Sequence, residues 1–155
     1  MKPANQFVLI TGGSEGIGYE LAKIFAENNY NLVLVARDEQ KLIEAAEQLQ
    51  VMNNVEVITI SKDLFYPGNA FELYDEIVSK DIEIDVLVNN AGQGQYGEFA
   101  DTDINRLLDI IHLNISSLVV LTNLFLKKQI CSGPKLYSRR NLVIPRTWQK
   151  MDMMH

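Results

Sequence analysis

The stretch Thr11-Gly12-Gly13-Ser14-Glu15-Gly16-Ile17-Gly18 sets Gly12, Gly16 and Gly18 at Gly-x-x-x-Gly-x-Gly spacing, between an apolar run and an amphipathic one. Glycine takes backbone angles that other residues resist and has no Cβ to keep a ligand away. A helix starting in such a loop offers free N–H groups and a partial positive charge, the chemistry of a seat for a pyrophosphate. The commoner spacing is Gly-x-Gly-x-x-Gly, but the mechanics are the same. The alternative is a tight strand-to-helix turn with no ligand. A strand before the loop, a helix after it and a second strand about 20 residues on favour dinucleotide binding. Thr11, Gly12, Ser14, Glu15, Gly16, Ile17 and Gly18 are therefore candidate cofactor-binding residues.

The second strand ends in Ala36-Arg37-Asp38. At this place a carboxylate suits the ribose 2′-hydroxyl of NAD, whereas an arginine suits the 2′-phosphate of NADP. Arg37 comes first off the strand, so NADP(H) is favoured over NAD(H); Asp38 also makes a good helix N-cap. A second glycine match, Gly92-Gln93-Gly94-Gln95-Tyr96-Gly97, fits Gly-x-Gly-x-x-Gly literally. It leads into a long helical stretch rather than a short helix and a further strand, and so reads as a rim above the sheet. The single cysteine, Cys131, excludes an internal disulfide framework and a multi-cysteine zinc site, and no metal is expected. His112 reads as a helix-face residue rather than a base.

These residues need a scaffold. Residues 7–10, 32–36, 55–60 and 84–89 are short apolar runs that read as strands, the first two buried on both faces. Between them lie helical periodicities: Ile17, Leu21, Ile24 and Phe25, then Leu42, Ala45, Ala46 and Leu49, then Phe71, Tyr74, Ile77 and Val78. From about Thr102 to Ile130 the chain reads helical, with a change of character near Asn114. Strands alternating with helices predict an α/β fold in three layers, a parallel sheet covered on both sides.

With 155 residues the chain fits one domain, and folding at that size buries roughly 68–70% of the unfolded surface. At 47% hydrophobic and 22% charged it is not a disordered polymer. A net charge of −6 argues against binding nucleic acid, which needs a basic face. No uninterrupted apolar run approaches ~18 residues, so no membrane span is expected. The short apolar stretch at the start is no signal-peptide core. A reduced, cytoplasmic protein is expected. The charge is uneven, however. Residues 1–126 carry seven Lys and Arg against nineteen Asp and Glu, a net −12, whereas residues 127–155 carry seven against one, a net +6. This marks a boundary: a nucleotide-binding domain over 1–133 and a divergent basic tail over 134–155.

The ordered set of motifs resembles the short-chain dehydrogenase/reductase family, of the shorter type. The loop over Thr11–Gly18 looks like its cofactor loop. Asp63-Leu64 looks like the pair whose acid touches the adenine, Asn89-Asn90-Ala91-Gly92 like its signature after strand four, and Asn114 like the helix asparagine of its catalytic tetrad. The resemblance covers residues 6 to about 130. It implies a Rossmann-type doubly wound sheet, strand order 3-2-1-4 with later strands missing or altered, and a cofactor at the switch point between strands one and four. Asn90, Ala91 and Gly92 would line the nicotinamide side. Each residue also has a plain structural use: Asp63 as a cap or turn residue, Asn89-Asn90 as a strand end, Asn114 as a kink with a satisfied amide.

The resemblance also implies a tyrosine with a lysine four positions later, and a serine upstream. The tyrosine exchanges a proton with the substrate oxygen, and the lysine's charge lowers the tyrosine pKa. The one Tyr-x-x-x-Lys here, Tyr19 to Lys23, sits directly after the phosphate loop and is coincidental. Tyr137 is followed four places on by Asn141, and Ser138 has no supporting register. The expectation is a product truncated by a frame or splice change near residue 136, the alternative a divergent end docking Leu142-Val143-Ile144 as an edge strand. The activity implied is an NADP(H)-dependent carbonyl/alcohol oxidoreductase on a small-molecule substrate, with little or no turnover by this chain. The other class is a non-catalytic nucleotide-binding or dimerising module. Leu118, Val119, Val120, Leu121, Leu124, Phe125 and Leu126 make the last helix apolar almost all round, so a homo-oligomer through residues 115–130 is expected.

Overall fold

Four short strands, Phe7–Thr11 (β1), Asn31–Ala36 (β2), Val57–Ser61 (β3) and Ile84–Asn89 (β4), form one parallel sheet in the order β3-β2-β1-β4. This computed structural model describes residues 6–131. The tail over 134–155, with Tyr137, Ser138 and the 142–144 run, lies outside the described residues, as do both ends of the 1–133 unit. Around the sheet run the helices Gly16–Glu27 (α1), Glu39–Met52 (α2), Asn69–Ser79 (α3), Ile104–Ile111 (α4) and Leu118–Cys131 (α5). The architecture is the expected three-layer, Rossmann-type α/β fold.

Side chains alternate across the strands. Val8, Ile10, Leu32 and Leu34 pack with Ala22 and Ala26 of α1 and with Leu42, Ala45 and Leu49 of α2. Leu9, Val33, Val35 and Ile60 pack on the other face with Leu73 and Ile77 of α3 and with Leu121 and Phe125 of α5. Tyr74 meets Phe125 edge to face, with ring centroids 5.1 Å apart, joining α3 to α5. The two central strands, β1 and β2, are buried throughout apart from their ends, whereas β3 and β4 are half-exposed at the sheet's margins.

The structure corrects several details. Strand β3 begins at Val57 rather than Val55. On α1 the buried stripe is Gly18, Ala22 and Ala26, while Ile17 is 75% exposed and Ile24 is exposed too. Small side chains let α1 press close to the sheet, so the larger ones are carried to its flanks. On α3 the buried face is Ala70, Leu73 and Ile77, and Phe71 and Val78 are exposed. The long helical stretch is interrupted where it was expected to change character: His112–Ser117 forms a π-helical turn between α4 and α5. Helix α5 is not buried all round, since Leu118, Val119 and Leu126 face outward. The expectation about membranes counted only uninterrupted apolar runs. The joined helix Ile104–Lys128 has 25 residues, a mean hydropathy of 1.6 in its most apolar window, and 17% of that window buried. By length and composition alone it is long and apolar enough to cross a membrane.

Truncating Leu73 to alanine empties a buried site and is expected to cost about 2–5 kcal/mol, while Phe71→Ala should stay within about 0.5 kcal/mol. Urea unfolding of the two variants checks the face assignment; a costlier Phe71→Ala contradicts it.

Candidate functional site

The chain runs outward from β1 to β2 to β3 and then returns to place β4 on the other side of β1. The loops leaving β1 and β4 therefore diverge to opposite faces, and a crevice opens at their carboxyl ends. Thr11 and Asn90 close its floor. The buried Thr11 Oγ1 accepts from the amides of Asn90 (3.1 Å) and Ala91 (3.0 Å) and donates to the Val88 carbonyl (3.4 Å). In return, Asn90 Nδ2 donates to the carbonyls of Thr11 and Gly12, each at 3.1 Å.

The glycine loop fits over this floor. Gly12 (φ +68°) and Gly16 (φ +57°) lie in the left-handed region that favours glycine. A Cβ at Gly18 would overlap the Gly12 carbonyl oxygen and crowd Asn90 Nδ2, so only glycine allows α1 to cross here. The space that a Cβ of Gly16 would enter is open. A helix leaves its first N–H groups without intrahelical partners. The N-cap Glu15 does not cap them with its side chain, and an open cleft of about 510 Å³ lies beside them, lined here by Ser14, Glu15 and Ile17. That volume is in the range of small-molecule sites. A helix start brought in close by the bare Gly18, its first amides without intrahelical partners, and an adjacent cleft together fit a dinucleotide's diphosphate.

At the far end of the cleft stand Arg37, Asp38, Lys41, Lys62, Asp63 and Phe65. The Asp38 carboxylate caps α2 by accepting from the Lys41 amide at 3.1 Å, and Asp63 accepts from the Phe65 amide at 3.0 Å. Lys62 is held by Glu72 (3.3 Å) and Glu76 (3.7 Å) of α3. The Arg37 guanidinium lies 5.6 Å from the Phe65 ring centroid, and Arg106 of α4 lies 5.2 Å from it. Lys41 Nζ pairs with Glu15 at 2.7 Å, and that hydrogen bond raises the Lys41 pKa above the ordinary lysine value.

Asn114 sits in the π-helical turn, a distortion common at functional sites. Its side-chain amide forms a two-point clamp on Gln93, accepting from the backbone N–H at 2.9 Å and donating to the carbonyl at 2.9 Å. This pins the loop after β4 to the helix, and the buried Ser117 Oγ pins the same helix to the Leu64 carbonyl at 2.8 Å.

Of the candidates, Gly12, Ser14, Glu15, Ile17, Arg37, Asp63, Leu64, Asn90, Ala91 and Gly92 line the cleft. Thr11, Gly16, Gly18 and Asn114 shape it from behind or beside. Sequence reasoning missed Lys41, Lys62, Phe65, Gln93 and Leu113 as lining residues. Only Lys41 left a signal, three residues after the N-cap Asp38, where a helix turns a side chain back toward its start. The Gly92–Gly97 segment is an exposed irregular rim, as expected. Tyr19 and Lys23 lie outside the cleft lining: Tyr19 donates to Gln48 at 2.7 Å, and Lys23, over its ring, pairs with Glu20 at 2.7 Å. Among the described residues no cluster of three or more His, Cys, Asp or Glu could hold a metal.

Comparison with known proteins agrees with this geometry. A family model described as short chain dehydrogenase matches residues 6–134. A very-long-chain 3-oxoacyl-CoA reductase of Candida glabrata is 31% identical over 153 residues, which is 91% of this chain and 43% of that protein. A (+)-neomenthol dehydrogenase of Capsicum annuum is 33% identical over 73% of this chain and 36% of its own length. Among solved structures, a short-chain dehydrogenase from Sphingobium yanoikuyae in complex with NADPH superposes with a TM-score of 0.76 at 34% identity, over 83% of this chain and 50% of that one. The chain thus spans about half or less of the length of these relatives.

Replacing Thr11 with valine leaves the amides of Asn90 and Ala91 without their acceptor and should cost about 1–3 kcal/mol in chemical denaturation. Thr11→Ser keeps the oxygen and should recover most of that loss. Equal losses in both variants contradict the hydroxyl's role as the floor of the site.

Proposed function

The chain belongs to the short-chain dehydrogenase family, and from that premise we propose that its cleft binds NADP(H) in preference to NAD(H). The observation that carries this reading is Arg37. It leaves β2 into the cleft, and among the described residues no carboxylate lies within ion-pair distance of it. The neighbouring Asp38 is engaged in capping α2. An arginine there matches a 2′-phosphate, and a carboxylate already committed to the backbone is a poorer partner for a 2′-hydroxyl. The NADPH complex of the Sphingobium relative supports the same reading.

In this assignment the amides at the start of α1 bind the diphosphate, Asp63 and Leu64 flank the adenine, and Asn90 to Gly92 border the nicotinamide. When bound, the cofactor supplies a hydride to, or takes one from, a carbonyl/alcohol pair. The relatives' names point to substrates that share this chemistry, a 3-oxoacyl thioester and a secondary alcohol. Asn114 acts as a positioning residue, holding the 93 backbone beside the reacting end. Among the described residues no Tyr-x-x-x-Lys pair lines the cleft, and little or no turnover is proposed for residues 1–155 alone. A second reading, a dimerising nucleotide-binding module, is favoured by the outward apolar side chains of Ile104, Leu108, Ile111, Ile115 and Val119 along α4, the π-helical turn and α5.

Fluorescence titration tests the assignment. NADPH should bind about tenfold or more tightly than NADH, the equivalent of one charge-assisted contact, and Arg37→Ala should abolish the difference. Equal affinities, or tighter NADH, contradict it. NADPH oxidation with a panel of ketones should remain at background.

A further inference from the structure

The charged groups at the adenosine end of the cleft are not equally available. Asp38 and Asp63 each accept a backbone amide, and Lys62 is shared by two glutamates of α3. Arg37 rests on the Phe65 ring without a carboxylate among the described residues. Lys41 is different again. It reaches across from the first turn of α2 to Glu15, the residue that begins α1, and both side chains are open to solvent, 47% and 69% exposed. The ion pair thus bridges the two elements between which the phosphates would lie, and both residues line the cleft.

We propose that Lys41 is a second cation for the 2′-phosphate of NADP(H), held by Glu15 while the cleft is empty and released to the phosphate when it fills. The inference rests on the NADP(H) reading and adds to it a residue and a competition. Arg37 and Asp38 both act electrostatically on Lys41, so the ammonium and the guanidinium belong to one local cluster. An exposed ion pair is weak and readily exchanged. A phosphate carries more negative charge than a single carboxylate and has three acceptor oxygens, so it outcompetes Glu15 for the same ammonium. In the empty cleft Lys41 neutralises Glu15 beside the phosphate seat, and once Lys41 turns to the 2′-phosphate the freed carboxylate opposes the ligand's phosphates and offsets part of the gain. Glu15 therefore sets a threshold. A dinucleotide without a 2′-phosphate leaves the pair intact and gains nothing from Lys41, whereas a 2′-phosphate recruits it.

The experiment is calorimetric titration of the full chain with NADPH, NADH and 2′,5′-ADP, using wild type, Lys41→Gln, Lys41→Arg and Glu15→Gln. Unchanged thermal melts confirm that these surface substitutions leave the fold intact. Lys41→Gln should weaken NADPH and 2′,5′-ADP by about tenfold and leave NADH within about twofold. Lys41→Arg should restore most of the loss. Glu15→Gln should tighten NADPH severalfold, because the competing carboxylate is gone. If wild type prefers NADPH but Lys41→Gln titrates like wild type, or weakens both dinucleotides equally, this inference falls while the NADP(H) reading stands. If wild type binds NADPH and NADH alike, both fall together.

Discussion

One close crossing governs this molecule: the start of α1 passes over the ends of β1 and β4 with no room for a side chain. Gly18 has to be bare because the Gly12 carbonyl and Asn90 Nδ2 occupy the place of its Cβ. Those two groups are themselves fixed, since Asn90 donates to Gly12 and Thr11 accepts from the loop after β4. Buried polar groups are costly unless paired, and this set pairs its members with one another. It therefore fastens two diverging loops at one point and leaves the first amides of α1, which have no intrahelical partners, beside the gap, while the Gly12 and Gly13 amides donate to the Val35 carbonyl. The sheet supplies the rigidity, and the crossing converts it into a seat for an anion.

An acidic chain has to make that seat without repelling its ligand. Residues 1–126 carry a net −12, yet the carboxylates nearest the cleft are each engaged. Asp38 and Asp63 accept from backbone amides and Glu15 from Lys41, while Glu72 and Glu76 share Lys62. Arg37 is the basic group in the cleft with no carboxylate beside it among the described residues. The local field is thus shaped by which charges are occupied, not by the total. The same loops also tie the far end together: Ser117 holds Leu64 and Asn114 holds Gln93, so the π-helical turn connects the loop after β3 to the rim after β4.

Much of this was legible in the sequence because its signals are local. Short apolar runs, glycines at fixed spacing and the cap at Asp38 each follow from backbone geometry within a few residues. Together they gave the strands and helices, the phosphate loop and the break near Asn114, while the strand order came from the resemblance of the ordered motifs to a known family. What escaped depends on distance in space. The inner faces of α1 and α3 were misassigned because larger side chains outweigh small ones in a periodicity, whereas close packing selects Gly18, Ala22, Ala26 and Ala70. Phe65 became visible only when the loop after β3 was brought to the cleft, and the sequence signal at Lys41 could not name its partner Glu15. The length of the joined α4–α5 helix was legible, but its overall apolar character was not, because polar residues interrupt its apolar runs.

The central claim is that a diphosphate is held by the backbone amides where β1 hands over to α1. Amide-resolved NMR of the labelled chain during titration with ADP-ribose tests it most directly. The account predicts that the largest shifts fall on the amides of Ser14, Glu15, Gly16, Ile17 and Gly18, with smaller ones at Asn90 and Ala91. Saturable binding that leaves those five amides unmoved, or no binding by a folded chain at millimolar ligand, would contradict it.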